Sequence, residues 1–142
     1  MKHLFCLFLP LLLQAQDVPI GNWKDYQSYN SSSYITESEN KIYCVASGAL
    51  FYVDKTDNTI NRWSKINGLS DVDIKKAAYS EGLKTLIVTY ENCNIDLIKN
   101  NQIINLSDIK RKEITGVKTI NNITLKNNTA YLSCSFGLVL ID

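Results

Sequence analysis

The feature that most constrains this chain is a β-prone stretch that returns every 44 residues. Residues 41–54 read KIYCVASGALFYVD, two apolar runs hinged at Ser47-Gly48; residues 85–98 read TLIVTYENCNIDLI, and residues 129–142 read TAYLSCSFGLVLID. Tyr43, Ile87 and Tyr131 hold equivalent places in the three copies. A small residue followed by Gly between two such runs signals a hairpin, because Gly takes positive φ without steric cost. A hairpin repeating at this interval falls in the window of four-stranded propeller blades, about 40–50 residues each. The first two central strands are apolar almost continuously, as expected of strands covered on both faces by neighbouring blades.

The repeat lays out the chain as all-β, with no convincing helical period. Strands are predicted at 34–37, 41–47, 49–54 and 59–64; at 74–79, 85–90, 95–99 and 102–106; and at 120–126, 129–135 and 138–142. The blades are then 34–72, 73–119 and an incomplete 120–142, joined by bridges at 65–72 and 107–119. Gly68 lets the first bridge change direction sharply. Asn-rich pairs such as Asn100-Asn101 and Asn127-Asn128 fall at turns, where tolerance of positive φ is useful. Propellers close with roughly four to eight blades, so the chain reads as the truncated N-terminal fragment of a longer propeller protein. Alone, it is expected to expose an apolar sheet face and unpaired strand edges.

Residues 1–16 read as a secretory signal peptide: Lys2, an apolar run at 4–13, and a cleavage zone at Gln14-Ala15-Gln16. The run is shorter than the roughly 20 residues a membrane-spanning helix needs. Cys6 lies too early for a lipoprotein cysteine and reads as part of the apolar run. The mature chain is therefore expected to be exported, with no transmembrane segment. Residues 17–33 form an extended lead-in whose Trp23, Tyr26 and Tyr29 are expected to pack on a blade, with sugar stacking as the alternative.

A net charge of +1 gives no reason to expect nucleic acid, which calls for a clearly basic face. The sole histidine, His3, sits in the signal peptide, so the mature segment has no imidazole for a catalytic triad or a metal site. No enzymatic activity, cofactor or metal is expected. Cys44, Cys93 and Cys134 are odd in number and lack a Cys-x-x-Cys pair. They read as small buried hydrophobes, with a Cys93 disulfide to a more distant part of the chain as the alternative. Asp54, Asp57 and Asn58 form a solvated hairpin turn in preference to a calcium loop, lacking the required oxygen spacing and the distal Glu. Asp71 and Asp73 lie at a strand start, where a carboxylate can accept from a turn N–H; two acids alone do not make a glycosidase. Lys110, Arg111 and Lys112 form the one basic cluster. It is a solvated loop by default and otherwise a contact for an anionic glycan or phosphate.

The segments PIGNWKDY (19–26), LFYVDK (50–55), SKINGLSDVDI (64–74), NIDLIKNNQIINLSDIKRKEITGVKTINNI (94–123) and YLSCSFGLVLID (131–142) together resemble the PorZ family, surface components of the Bacteroidetes type IX secretion system. The block 94–123 is the most specific. The resemblance implies two seven-bladed propellers in tandem and a small C-terminal β-domain, with this chain opening the first propeller. It also implies an outer-membrane surface location and a non-enzymatic role beside the sortase PorU and its partners PorV and PorQ. Anionic lipopolysaccharide is the implied ligand. No family motif places lipopolysaccharide or sortase contacts on particular residues here. The bridge GLSDVDI is also similar to the regulator propellers of hybrid two-component histidine kinases, which implies a periplasmic glycan-sensing domain as the alternative. An enzyme, such as a propeller lyase, would need catalytic residues in blades outside this sequence.

Overall fold

The structure, a computed structural model, describes residues 26–142. The signal-peptide assignment, with His3, Cys6 and Trp23, lies outside the described residues. Three antiparallel sheets follow one another. The first is β1 (Ser32–Glu37), β2 (Lys41–Ala46), β3 (Ala49–Asp54) and β4 (Ile60–Trp63). The second is β5 (Ile74–Ser80), β6 (Thr85–Tyr90), β7 (Ile95–Lys99) and β8 (Gln102–Leu106); the third is β9 (Ile120–Lys126), β10 (Thr129–Cys134) and β11 (Gly137–Ile141). Within each sheet the strands lie in sequence order, every neighbour joined by a short turn. The expected all-β class holds, and β1 begins two residues earlier than the sequence indicated.

Turn chemistry explains the meander. Ser47 and Gly48 both take positive φ, 48° and 76°, the pairing a two-residue hairpin needs to match strand twist. Asn58, Asn100, Asn101 and Asn127 adopt the left-handed region at other turns. Asp54 Oδ1 accepts from the Thr56 backbone N–H at 3.0 Å and its hydroxyl at 2.6 Å, and Asp57 does the same for Thr59. These two carboxylates close side-chain turns of their own. One bond repeats with the blades: the backbone N–H groups of residues 47, 91 and 135 donate to the carbonyls of Ser31, Asp73 and Thr119. Each ties a hairpin turn to the entry of its own innermost strand.

The sheets pack face to face. Tyr43, Val45 and Leu50 of the first meet Ala77, Leu86, Val88 and Tyr90 of the second in one core. The opposite face of the second, with Ala78, Ile87 and Ile95, meets Ile123, Ala130 and Leu132 of the third in another. That two-sided cover is why β6 is buried at every position and shows no alternation. Each fully buried Leu or Ile contributes about 1.5–3 kcal/mol. Ile35 and Ile60 lie exposed on the first sheet's other face, and Leu138 and Leu140 on the third's, the bare apolar faces the repeat foretold. Tyr29 of the lead-in packs edge-on against Phe51 at 5.9 Å, with Arg62 over its ring at 4.9 Å. Two short helical turns interrupt the β pattern: a 3-10 turn at Lys65–Asn67 and α1 (Asp108–Arg111). A single turn is too short to show a helical period, which is why the sequence reading gave none. Among the described residues no helix is long and apolar enough to cross a membrane.

Candidate functional site

Both bridges and all three central hairpin turns lie at one end of the sheets, where exposed Ile66, Val72 and Val117 stand among polar ties. The centre of those ties is Asp71. Its Oδ2 accepts from Asn92 Nδ2 and from Lys110 Nζ, both at 2.6 Å, and its Oδ1 from the Val72 N–H at 3.1 Å. The Asp71 side chain is 11% exposed and that of Lys110 41%. Burial pushes the Asp71 carboxyl up, but the hydrogen bonds from Lys110, Asn92 and Val72 and the Lys110 charge outweigh it, holding the pKa at about 2. One residue thus clamps the first bridge to the second and to the turn between β6 and β7.

A buried companion supports the clamp. Asp96, fully buried in β7, accepts from the Tyr90 hydroxyl at 2.5 Å, the Ser70 N–H at 2.9 Å and Asn105 Nδ2 at 2.8 Å. Asn105 also donates to Asn94 Oδ1 at 3.0 Å. Burial, then the bond to Asp96, drives the Tyr90 phenol far above its ordinary value, so Tyr90 works here as a permanent donor. The sequence reading placed Asp71 correctly as an acceptor for a turn N–H but missed Asp96. The available signal was an acid inside the apolar run IDLI.

The basic cluster does not act as a unit. Lys110 is held by Asp71, and Arg111 pairs with Asp108 at 3.0 Å on an exposed turn where such pairs contribute little. The Lys112 side chain is exposed. Lys118, which the sequence did not single out, donates to the carbonyls of Ile109, Lys110 and Lys112 at 2.7–3.1 Å and so caps α1. Of the three cations, Lys110 and Arg111 thus have carboxylate partners and Lys112 stands in solvent. Toward the inner strands lies a polar cleft of about 500 Å³ lined by Ser31, Ser33, Ser47, Lys75 and Glu91. There Lys75 bridges Glu91 at 3.1 Å and Thr119 at 2.7 Å. Cys44 and Cys93 are buried and Cys134 half-buried, all as free thiols.

Four-stranded antiparallel meanders packed face to face, with outer strand passed to next inner strand by bridges at one end, define a β-propeller. The chain belongs to the PorZ N-terminal propeller family: the family described as TSS9, PorZ, N-terminal beta-propeller domain matches residues 42–142. A solved structure of PorZ from Porphyromonas gingivalis, described as an essential bacterial surface component of the type IX secretion system, is 32% identical and superposes with a TM-score of 0.77. The match covers 81% of this chain and 16% of that one, so the chain spans a small part of its relative's length. Comparison with curated proteins gave no match.

Proposed function

We propose that this chain is part of a non-enzymatic, exported component of the type IX secretion system at the outer-membrane surface. It binds anionic lipopolysaccharide and supports sortase-mediated attachment of secreted cargo, in company with PorU, PorV and PorQ. The observation that carries the reading is family membership, together with likeness to a PorZ named as a surface component of that system. The geometry is in keeping with it: stacked sheets give a rigid base, and the bridge-end loops are tied down on it by Asp71 and Asp96. Arg111 and Lys112 are the proposed anion contacts.

Deleting the full-length gene is expected to leave type IX cargo unprocessed and unanchored, seen as unmodified cargo in the medium; normal processing in the deletion strain rejects the assignment. In the purified full-length protein, Arg111→Glu with Lys112→Glu is expected to weaken binding to anionic lipopolysaccharide and to flatten its salt dependence. Unchanged binding returns both residues to the status of solvated loop charges.

A further inference from the structure

Two of the free thiols enter one core from opposite sheets. Cys93 sits in the turn between β6 and β7, where its N–H donates to the Tyr90 carbonyl at 3.0 Å and its φ is 63°. It is fully buried in the core between the second and third sheets. Cys134 ends β10 and packs against that same core from the third sheet. Its register partner in β9, Ile120, is a fully buried member of the core.

The repeat shows which way Cys134 looks. It stands 44 residues after Tyr90, which packs into the core shared with the preceding sheet. Cys134 does likewise, and so faces the second sheet, whose turn carries Cys93. Both lie at the bridge end, Cys93 within one central hairpin turn and Cys134 just before the next. Burial, and then the charge of nearby Cys93, push the Cys134 thiol above its ordinary value. Cys134 Sγ makes one long contact besides, donating to the Leu132 carbonyl at 3.6 Å. Cys44 stands apart in the first sheet, its sulfur 2.9 Å from the Ser32 hydroxyl.

A single cysteine can fill a core as a small hydrophobe. Two that face one another from adjacent sheets, in a chain read as exported, have a further use, because disulfides persist outside the cytoplasm. We infer that Cys93 and Cys134 form a disulfide that staples the second blade to the third after export. The inference takes only the exported location from the function proposed above. It replaces the distant partner considered for Cys93 with one 41 residues on in the same propeller. A loop of that length is long enough for its closure to restrict the unfolded chain appreciably.

The bond forms by exchange with a disulfide oxidant of the export compartment. Half-buried Cys134 is the more reachable thiol. As thiolate it attacks the oxidant, forming a mixed disulfide and expelling one oxidant thiolate. Cys93 then gives up its proton, attacks the Cys134 sulfur and expels the second thiolate. Two protein thiols are oxidised, one oxidant disulfide is reduced to two thiols, and the two protein protons end on them.

Peptide mapping tests the pair. Full-length protein is taken from cells with thiols blocked by iodoacetamide before lysis, then digested without reductant and weighed by mass spectrometry. The expected product is a peptide pair linked through Cys93 and Cys134, two hydrogens lighter than its separate parts and split by reductant, with Cys44 alkylated. In Cys134→Ser the linked pair should be lost and Cys93 should alkylate once the protein is unfolded. Cys93 and Cys134 both alkylated in the wild type, or Cys93 linked to another cysteine, overturns the inference, as does a Cys93 still protected in Cys134→Ser. A second arm, purified reduced protein held in a glutathione redox buffer, tells which part has failed. A pair that closes there but not in cells faults the exported location; a pair that stays open in both faults the geometry.

Discussion

Replacing Asp71 with Asn tests whether a negative charge, and not merely a side chain of that shape, holds the two bridges together. Asn keeps the volume and can offer its one oxygen to Lys110 Nζ and Asn92 Nδ2, but it carries no charge and turns its NH2 toward the Val72 N–H, itself a donor. The folded carboxyl sits at about 2 against an ordinary 3.8, a gap that corresponds to about 2.4 kcal/mol at 1.36 kcal/mol per unit. Lys110 is 41% exposed, so solvent screening reduces this to roughly 1–2 kcal/mol. Because the folded pKa lies below the unfolded one, the stabilisation is complete above about pH 4 and is lost as pH falls toward 2. Thermal midpoints of wild type and Asp71→Asn should therefore differ at neutral pH and converge in acid, as the native carboxylate takes up its proton. Hydrogen exchange across residues 65–75 and 107–119 should quicken in the variant at neutral pH. Equal midpoints at neutral pH, or a gap that persists undiminished near pH 2, would refute the charge-based account of the clamp.

Other perturbations probe separate links. Tyr90→Phe removes the donor to buried Asp96 while leaving the Ser70 N–H in place, and should lower the urea midpoint by an amount equivalent to about 1.5–3 kcal/mol. Gly48→Ala places a Cβ at φ 76°, 3.4 Å from the Asp73 Cα, and should cost about 1–2 kcal/mol, read by chemical denaturation. Leu132→Ala opens a cavity between the second and third sheets and should destabilise by about 2–5 kcal/mol, whereas Leu138→Ala, on an exposed position, should change the same midpoint little.

The strands, their order and most of their limits were legible in the sequence because a blade is a local object. Each strand pairs with the next across a turn of a few residues, so apolar runs and positive-φ residues such as Ser47-Gly48 and Asn100-Asn101 encode it directly. The period of 44 residues even fixed which face each side chain takes: Tyr43 and Ile87 occupy the same place in β2 and β6 and both look toward the following sheet. Charge content alone marked Lys110, Arg111 and Lys112 as one cluster. Only the tertiary structure divided them, giving Lys110 to Asp71, 39 residues away, and Arg111 to its own turn. The ring contact between blades has the same origin, since Tyr43 meets Tyr79 only where the first two blades stack. Strand pattern is set by neighbours along the chain, whereas contacts between bridges and between blades depend on where separately folded ribbons come to rest against one another.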